Sequence, residues 1–278
     1  MLKKAYLEIT NECNLGCSFC HGTKRPIKYI SEEEFTHAAA ALRPHTEYLY
    51  FHLMGEPLLH PSVERFLEIA GDMKFKVIIT TNGVLLPQKG DAILNSPALH
   101  KVSISLHAYE ANMMDISLDD YLNGCFDFCK KASKNDVISV MRLWNIGGES
   151  TQNIDILSKM KEHFGGCWED FRGGSKLAHK VFLEWGDKFD WPDMESTVYS
   201  ECHSCYGLRD QIGVLSDGSV VPCCLDADGV ITLGNIFKDS VDDILASPRA
   251  VALKRSFETR RIKEPLCRRC GFAMTRVK

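Results

Sequence analysis

The sequence predicts an α/β fold in which six successive βα units surround a parallel sheet. Short β-branched or aromatic runs alternate with helix-length stretches, an order typical of strands joined by crossover helices. Serine and proline residues stand where several helix-length stretches begin, as capping residues do. With 278 residues, 45% of them hydrophobic, the chain is long enough for one large domain and an appended module.

Each predicted unit opens with a strand. The predicted strands are 4–10, 47–54, 75–81, 101–107, 137–144 and 180–185. Helices are predicted to begin at Ser31, Pro61, Pro87, Ser117 and Thr151. Ser31 precedes Glu34 at capping-box spacing. Further along, a hairpin with an Asp-Gly turn is predicted over 211–222, and another helix is predicted near Ser240.

Composition and charge narrow the function classes. No apolar run approaches the ~18 residues needed to span a membrane. A net charge of −4 gives no bulk attraction to nucleic acid, which is therefore disfavoured as a partner. Twelve cysteines without an apolar N-terminal signal are typical of a reducing interior, where thiols hold metals instead of forming disulfides. The sequence predicts a cytoplasmic protein without a membrane partner.

Three cysteines follow the first predicted strand within eight residues: Cys13, Cys17 and Cys20. Three thiolates on such a loop can bind three irons of a four-iron cluster, whereas an electron-transfer cluster recruits a fourth cysteine. The missing ligand leaves one iron open to another molecule. Zinc bound by the same thiols, with His21 as the fourth ligand, is the alternative that these residue types leave open.

The last eighty residues contain six more cysteines. They are Cys202, Cys205, Cys223, Cys224, Cys267 and Cys270. The first two and the last two each form a C-x2-C pair, and these pairs could make a four-cysteine zinc ribbon instead of binding an iron–sulfur cluster. The other three cysteines, Cys125, Cys129 and Cys167, are predicted to be buried hydrophobic residues, as free cysteines usually are.

The C-x3-C-x2-C spacing, with Phe19 before the last cysteine, resembles the signature of the radical SAM superfamily. Gly55-Glu56-Pro57, after the second predicted strand, is similar to a segment of the same superfamily. The resemblance implies a partial (β/α)6 barrel of the TIM type, with its chemistry in loops at the carboxyl ends of the strands. It also implies a [4Fe-4S] cluster whose open iron chelates S-adenosylmethionine.

The terminal cysteines, with the hairpin and helix between them, resemble the SPASM and shorter Twitch modules, which bind auxiliary clusters. This similarity implies a barrel over 1–198 and a module over 199–278. One auxiliary [4Fe-4S] cluster is expected, because the full SPASM pattern needs more cysteines than the six present. The pattern resembles that of the butirosin-pathway aminocyclitol dehydrogenase branch, which implies as ligands Cys205, Cys223, Cys267 and Cys270.

The resemblance also implies roles for individual residues. The positions that match cofactor contacts of the family are Phe19, Gly55, Glu56, Pro57, Asn82, Ser105, Arg142 and Asn145. Arg142 suits a carboxylate because its planar fork can donate two parallel bonds. Cys202 and Cys224 are candidate catalytic thiols that would donate a hydrogen atom, replace a neighbouring ligand, or simply pack. Candidate substrate-facing residues are His52, His107, Trp144, Glu184 and Trp185.

The implied activity is reductive cleavage of S-adenosylmethionine to a 5′-deoxyadenosyl radical, which takes a hydrogen atom from the substrate. An auxiliary cluster can accept the remaining electron, so a net oxidation such as dehydrogenation or cross-linking is expected. Radical epimerisation of a peptide or carbohydrate with a cysteine donor, and a non-catalytic iron–sulfur or zinc protein, are the alternatives. Expected partners are a small-molecule or peptide substrate and an electron donor such as flavodoxin or ferredoxin. Only twelve residues precede Cys13, which disfavours a leader-binding segment and so a peptide.

Overall fold

Eleven strands join into one sheet in the computed structural model, which describes residues 1–112 and 114–275. The strands are Lys4–Leu7 (β1), Tyr48–Tyr50 (β2), Lys76–Thr81 (β3), Leu99–Ser105 (β4), Ile138–Ile146 (β5), Glu169–Phe171 (β6), Gly174–Ala178 (β7), Val181–Asp187 (β8), Gln211–Val214 (β9), Ser219–Val221 (β10) and Gly234–Asn235 (β11). The helices are Glu32–Leu42 (α1), Val63–Asp72 (α2), Leu86–Leu94 (α3), Leu118–Lys134 (α4), Asn153–Phe164 (α5), Val241–Ala246 (α6), Pro248–Glu258 (α7), Pro265–Arg268 (α8) and Gly271–Met274 (α9).

The middle of the sheet is parallel. Strands β1, β2, β3, β4, β5 and β8 are neighbours in that order, and each pair is hydrogen-bonded in parallel. Helices α1 to α5 lie in the crossovers between them, as parallel pairing requires. The predicted α/β class and its six parallel strands are confirmed, and the carboxyl ends of these strands all point the same way.

Antiparallel hairpins extend the sheet on both sides. The β6–β7 hairpin pairs with β8 and was not predicted. The predicted β9–β10 hairpin forms, but β9 also pairs in parallel with β1, so that Tyr6 lies opposite Gly213. A Cβ on Gly213 would lie 2.7 Å from the Leu53 side chain and 2.9 Å from the Val221 side chain, so a larger residue would displace both. This pairing brings the region of the terminal cysteines beside the first strand.

Helix starts follow the predicted serine caps. The Ser31 hydroxyl accepts the Glu34 N–H, and the Glu34 carboxylate accepts the Ser31 N–H, which confirms the capping box of α1. The Ser117 hydroxyl caps α4 at its predicted start, and the Ser240 hydroxyl caps α6, the helix that was predicted near it. Helix α2 begins at Val63, two residues after its predicted start at Pro61. The Ser62 N–H donates to the His60 ring, so residues 60–62 form a turn before the helix.

The first strand is shorter than predicted and ends at Leu7. Beyond it, the Ile9 carbonyl accepts the Ile30 N–H, and the Asn11 N–H donates to the Lys28 carbonyl. These residues therefore pair with the segment that returns before α1 instead of continuing the ladder with β2. The pairing turns the chain out of the sheet just before the three clustered cysteines.

Buried apolar side chains fill the space between sheet and helices. Phe35 of α1 and Phe66 of α2 stack with ring centroids 4.2 Å apart. Cys125 and Cys129 of α4 are fully buried, as predicted. Cys167 is exposed in the connection between α5 and β6, so the expectation that it is buried was wrong. Across the described ranges, no helix combines the length and apolarity needed to cross a bilayer.

Candidate active site

A cavity of about 650 Å³ lies inside the barrel toward the carboxyl ends of the parallel strands. Its volume falls within the range of small-molecule and cofactor sites. Cysteines of both predicted groups line it: Cys13, Cys17, Cys20, Cys205, Cys223, Cys224, Cys267 and Cys270. Two groups of thiols that are far apart in sequence therefore face one space.

The first cysteine loop, which carries Cys13, Cys17 and Cys20, is held by two asparagine side chains. Asn112 Nδ2 lies 3.1 Å from Cys17 Sγ, and Asn82 Nδ2 lies 3.9 Å from Cys13 Sγ. Hydrogen bonds to cluster sulfurs are among the groups that set a cluster's reduction potential. Sequence reasoning missed Asn112, because it is 95 residues from Cys17 and belongs to no recognisable motif.

Partial burial raises the pKa of each thiol in the first cysteine loop. The pKa of Cys13 rises to about 11, because desolvation, the nearby Glu56 and the other two thiols all disfavour the thiolate. Burial likewise raises the pKa values of Cys17 and Cys20. The three thiols are therefore close enough to affect one another's pKa values. Bound iron would stabilise the thiolate forms, which burial alone disfavours.

Gly55 and Glu56 dock the end of the second unit onto the same loop. Gly55 has φ +74°, and a Cβ there would lie 2.5 Å from the Thr10 carbonyl and 2.7 Å from the Glu12 carbonyl. The Glu56 N–H donates to the Glu12 carbonyl at 2.8 Å. The Glu56 carboxylate is buried and accepts the Asn82 N–H at 2.7 Å, while burial raises its pKa to about 7.

Six of the eight residues predicted to contact the cofactor line the cavity. They are Phe19, Gly55, Glu56, Asn82, Ser105 and Arg142. Pro57 is buried in the short 3-10 turn after β2. The Asn145 side-chain amide donates to the Glu149 carbonyl and to the Asn153 side chain. Neither Pro57 nor Asn145 lines the cavity. The cofactor-binding roles of all eight stay predictions.

Arg142 lies on the wall of the cavity between acidic and aromatic neighbours. Its Nε donates to the Glu184 carboxylate at 3.1 Å, and its guanidinium lies 4.6 Å from the centroid of the Trp144 ring. Trp185, the neighbour of Glu184, packs against the core instead, because side chains alternate along β8. Three of the five predicted substrate-facing residues line the cavity: His52, His107 and Trp144.

Lys4, Tyr6 and Tyr50 also line the cavity, and sequence reasoning missed them. Lys4 Nζ donates to the Tyr6 hydroxyl at 2.8 Å, and the rings of Tyr6 and Tyr50 are 4.8 Å apart. The signal that could have found them is the two-residue period of β1 and β2. Alternate residues of a strand share one face, so Lys4 and Tyr6 point the same way, as do Tyr50 and His52.

The four terminal cysteines come together from separate parts of the chain. All are half-buried and line the cavity: Cys205, Cys223, Cys267 and Cys270. Burial, then the charges of the neighbouring thiols, raises the pKa of Cys223 well above its usual value. Burial also raises the pKa of Cys270 to about 11. Because each of the other three thiols contributes to the raised pKa of Cys223, the four form one cluster of side chains.

The two candidate catalytic thiols have different surroundings. Cys224 lines the cavity, hydrogen-bonds with Tyr6, and has its pKa raised by burial. Cys202 is exposed, its N–H donates to the Ser200 hydroxyl, and it lies outside the cavity lining. Of the two, Cys224 is the thiol that a molecule in the cavity would meet.

The segment after Cys20 ties the two groups of thiols together. Arg25 Nη2 lies 2.8 Å from both oxygens of the buried Glu8, and Arg25 Nε donates to the Ala227 carbonyl at 2.8 Å. The Thr23 hydroxyl donates to Asp228 at 2.8 Å. Ala227 and Asp228 follow closely on the Cys223-Cys224 pair. These contacts fix the first cysteine loop against the terminal region.

The residues of both groups fit iron–sulfur clusters by their donor chemistry. Three thiols in one group and four in the other lie close together on a shared cavity. Within residues 1–112 and 114–275, no three His, Cys, Asp or Glu side chains converge as around a single metal ion. A four-iron cluster takes each thiolate on a different iron. The first loop would hold one cluster and the four terminal cysteines another.

Two family models match this chain. The Radical SAM superfamily matches residues 7–160, and the iron-sulfur cluster-binding domain called SPASM matches residues 196–271. The chain belongs to the radical SAM superfamily. It is a radical SAM enzyme that uses S-adenosylmethionine and a [4Fe-4S] cluster, and its SPASM domain binds auxiliary iron–sulfur. The family, the enzyme class and the cofactors expected from the sequence are confirmed, and the non-catalytic alternative is set aside.

Curated relatives of this radical SAM enzyme have several different activities. It is 25% identical over 268 residues to the antilisterial bacteriocin subtilosin biosynthesis protein AlbA of Bacillus subtilis, covering 88% of this chain and 59% of AlbA. It is 34% identical over 121 residues to a probable GTP 3′,8-cyclase of Aeropyrum pernix, covering 38% of this chain and 32% of that protein. The chain thus spans less than two thirds of the length of either relative.

Solved structures share the fold at low sequence identity. BtrN in complex with AdoMet and 2-DOIA gives a TM-score of 0.64 at 17% identity, covering 97% of this chain and 93% of BtrN. SuiB of Streptococcus suis bound to its precursor peptide SuiA gives a TM-score of 0.63 at 15% identity, covering 98% of this chain and 70% of SuiB. These likenesses establish the barrel and its extension as the fold of this enzyme.

Proposed function

We propose that this enzyme catalyses a net oxidation, either a dehydrogenation or a cross-link, of a small molecule or a peptide. The observation that carries the proposal is that both groups of thiols line one cavity of about 650 Å³. When bound, the cofactors supply a 5′-deoxyadenosyl radical for hydrogen abstraction and an auxiliary cluster for the remaining electron. A substrate in this cavity would face both groups of cysteines.

In this proposal, the chain's own residues bind the cofactor and hold the first cysteine loop in place. Ser105 and Arg142, which lie opposite each other in the register of β4 and β5, would bind S-adenosylmethionine together with Glu56, because all three line the cavity. Phe19 packs on His107 with ring centroids 4.6 Å apart, and the Trp191 indole donates to the Phe19 carbonyl. These contacts hold Phe19 of the first cysteine loop against the end of β4 and against the segment that follows β8.

Substrate class and partners follow from likeness and are part of the proposal. The BtrN structure holds 2-DOIA and the SuiB structure holds the peptide SuiA, so both substrate classes are supported by enzymes of this fold. An external one-electron donor such as flavodoxin or ferredoxin would reduce the cluster of the first loop. We place the boundary between barrel and module after residue 198 and the enzyme in the cytoplasm.

Iron and sulfide analysis of anaerobically purified protein tests the two-cluster arrangement. We expect about eight irons in the wild type and about four in the Cys13/Cys17/Cys20→Ala variant, since each group of thiols would hold one four-iron cluster. The exposed Cys167→Ala variant is the matched control and should keep the wild-type content. About four irons falling to none, with zinc present, would remove the proposed electron acceptor.

Turnover in deuterated water separates the reaction classes for any substrate that the enzyme accepts. A net oxidation gives a product that has lost two hydrogen atoms and takes up no deuterium at carbon. An epimerisation gives a product with the substrate's composition that carries one solvent deuterium. The second outcome would replace oxidation as the function of this site.

Epimerisation is the second candidate because one observation favours it. The Cys224 thiol lines the cavity, hydrogen-bonds with Tyr6, and is kept protonated by burial, as a hydrogen-atom donor must be. If this function holds, Cys224→Ala should retain cleavage of S-adenosylmethionine but lose deuterium incorporation, and Cys202→Ala should behave as the wild type. Full epimerisation by Cys224→Ala would eliminate this thiol as the donor.

A further inference from the structure

Positive charge is concentrated in one stretch of this acidic chain. Residues 249–269 contain eight lysine and arginine residues and two acids, whereas the rest of the chain contains 25 basic residues and 35 acids. Three of the eight are held by contacts within the protein, since Arg249 and Arg268 pair with glutamates and Arg269 donates to backbone carbonyls. The stretch is therefore opposite in charge to the rest of the molecule.

The other five basic side chains are exposed, and within residues 1–112 and 114–275 none of them forms an ion pair. We call them the basic face: Lys254, Arg255, Arg260, Arg261 and Lys263. The first two lie on α7, and the other three lie in the loop between α7 and α8. Val251, one turn earlier on the same side of α7, is 52% exposed. An apolar side chain beside polar ones is typical of a surface that binds a protein.

The loop folds back along α7, which brings its charges next to those of the helix. The Arg261 N–H donates to the Ser256 carbonyl at 2.9 Å, around a turn in which Arg260 has φ +55°. Such a left-handed residue often ends a helix. At the other end of the loop, Glu264 pairs with Arg249 in the first turn of α7 at 3.0 Å. The basic face therefore spans two adjacent segments of the surface.

The opposite side of α7 packs against the terminal cysteines. Phe257 is two residues from Arg255, about 200° around the helix, and it is buried and lines the cavity. A Cβ added to Gly207 would lie 3.2 Å from the Phe257 ring and 3.6 Å from Cys205 Sγ, so ring and thiol border the same glycine. Cys267 follows the loop on α8. One helix, about 10 Å in diameter, thus separates the basic face from the terminal thiols.

We propose that the basic face binds an acidic one-electron carrier protein, of the flavodoxin or ferredoxin class, that takes an electron from the auxiliary cluster. The inference rests on the proposed function, in which each net oxidation leaves one electron on that cluster. The cluster then loses one electron, the oxidised carrier gains it, and no bond forms or breaks. Opposite charges speed and orient such an encounter, and a carrier bound on α7 would lie close to the terminal thiols.

Rapid mixing of reduced holoenzyme with oxidised flavodoxin tests the basic face. The probe is a flavodoxin of negative net charge, dilute enough that association limits the reaction, and the measurement is the rate constant for formation of its semiquinone. We expect the rate constant to fall at least roughly tenfold between about 0.05 M and about 0.5 M salt, because salt screens the attraction between exposed charges.

A charge-reversal variant assigns the effect to α7. Lys254→Glu/Arg255→Glu should lower the rate constant at low salt by roughly tenfold and leave the rate constant at high salt unchanged. Lys130→Glu/Lys134→Glu is the matched control, because it makes the same change in net charge at two exposed lysines of α4, on the barrel. It should behave as the wild type does. Iron content and S-adenosylmethionine cleavage by chemically reduced protein should be unchanged in both variants.

A second measurement identifies the cluster that gives up the electron. The Cys13/Cys17/Cys20→Ala protein, which would hold the auxiliary cluster alone, should reduce flavodoxin with the rate constant of the wild type. If that protein keeps about four irons but does not reduce flavodoxin, the electron comes from the first loop and the proposal is wrong.

Two other results would overturn the basic face as the docking site. One is an equal rate constant for the two charge-reversal variants, or a rate constant of the wild type that does not depend on salt. The other is salt-dependent binding of single-stranded RNA that Lys254→Glu/Arg255→Glu abolishes while its rate constant with flavodoxin stays unchanged, which would assign the face to nucleic acid.

Failure of the proposed function gives a different result. A product that has lost no hydrogen atoms would refute the net oxidation. If the rate constant with flavodoxin is nevertheless lowered in Lys254→Glu/Arg255→Glu and not in Lys130→Glu/Lys134→Glu, the docking site stands.

Discussion

The first cysteine loop brings its three thiols together within residues 13–20, whereas the terminal group needs Cys205, Cys223 and the Cys267–Cys270 pair from separate segments. In the loop, Cys13 and Cys20 are exposed, while all four terminal thiols are half-buried. The loop is therefore built by local spacing, and the terminal group by tertiary pairing of β9 with β1. The two groups of thiols should therefore be disrupted by different substitutions, and the loss of each should have a different effect on the reaction.

The largest expected effect is on chemistry and separates the two groups. Cys20→Ala should bring S-adenosylmethionine cleavage below detection, because the loop would lose one of its three thiolate ligands. Cys270→Ala should keep cleavage but lose about four irons and the oxidised product. The measurement is 5′-deoxyadenosine formed by reduced protein. Equal loss of cleavage in both variants would show that the two groups do not act separately.

A side chain at Gly55 should destabilise the protein, because it would clash with backbone carbonyls that precede the first cysteine loop. Gly55→Ala would place a Cβ 2.5 Å from the Thr10 carbonyl at φ +74°, so we expect a loss of about 3 kcal/mol or more in the free energy of unfolding. Gly173→Ala, in the turn of the β6–β7 hairpin, is the matched control, since its φ is +77° but nothing lies within 4 Å of the added Cβ. It should cost only about 1 kcal/mol. Denaturant unfolding measures both, and equal losses would contradict the clash.

Loss of the buried Arg25–Glu8 ion pair should lower the free energy of unfolding by nearly as much. Arg25→Met leaves the fully buried Glu8 carboxylate without its partner, and we expect a cost of about 3 kcal/mol. Arg65→Met removes an exposed pair with Glu32 and should cost less than about 1 kcal/mol. Because Arg25 also binds the Ala227 carbonyl, its loss should lower iron content in both groups. Loss from one group alone would refute the coupling.

The smallest expected effect is a pH dependence from His107. Burial lowers its pKa from 6.5 to about 4, so the folded protein binds fewer protons than the unfolded chain below pH 6.5. Stability is then fully present above that value and falls as the pH falls, by about 1 kcal/mol between pH 7.5 and 5.5. His107→Gln should reduce this slope in denaturant titrations at the two pH values. An unchanged slope would assign the dependence to other groups.

Sequence patterns predicted much of the fold because its strands and caps are local features. The six parallel strands, the Ser31 capping box and the β9–β10 hairpin each depend on a few neighbouring residues. The β6–β7 hairpin escaped prediction because β6 has three residues that are all exposed, and β7, which is half-buried, shows no apolar alternation. Cys167 was misjudged for a related reason, since it lies in the connection that leads into this hairpin.

The candidate site divides in the same way. Spacing alone marked Cys13, Cys17 and Cys20, because ligands of a tight loop are encoded within it. Nothing in the sequence marked Asn112 as the donor to Cys17 Sγ, since 95 residues separate the two. Nor did it distinguish Cys224 from Cys202, because only burial beside Tyr6 separates a cavity thiol from a surface thiol.

The sequence by itself determined the βα order, the first cysteine loop and the family, because these follow from contacts between near neighbours. Only the tertiary structure decided that both groups of thiols share one cavity and that Lys4, Tyr6 and Tyr50 face it. The physical reason is that strand pairing joins distant segments, and the pairing of β1 with β2 and β9 is specified by the packing of the whole sheet.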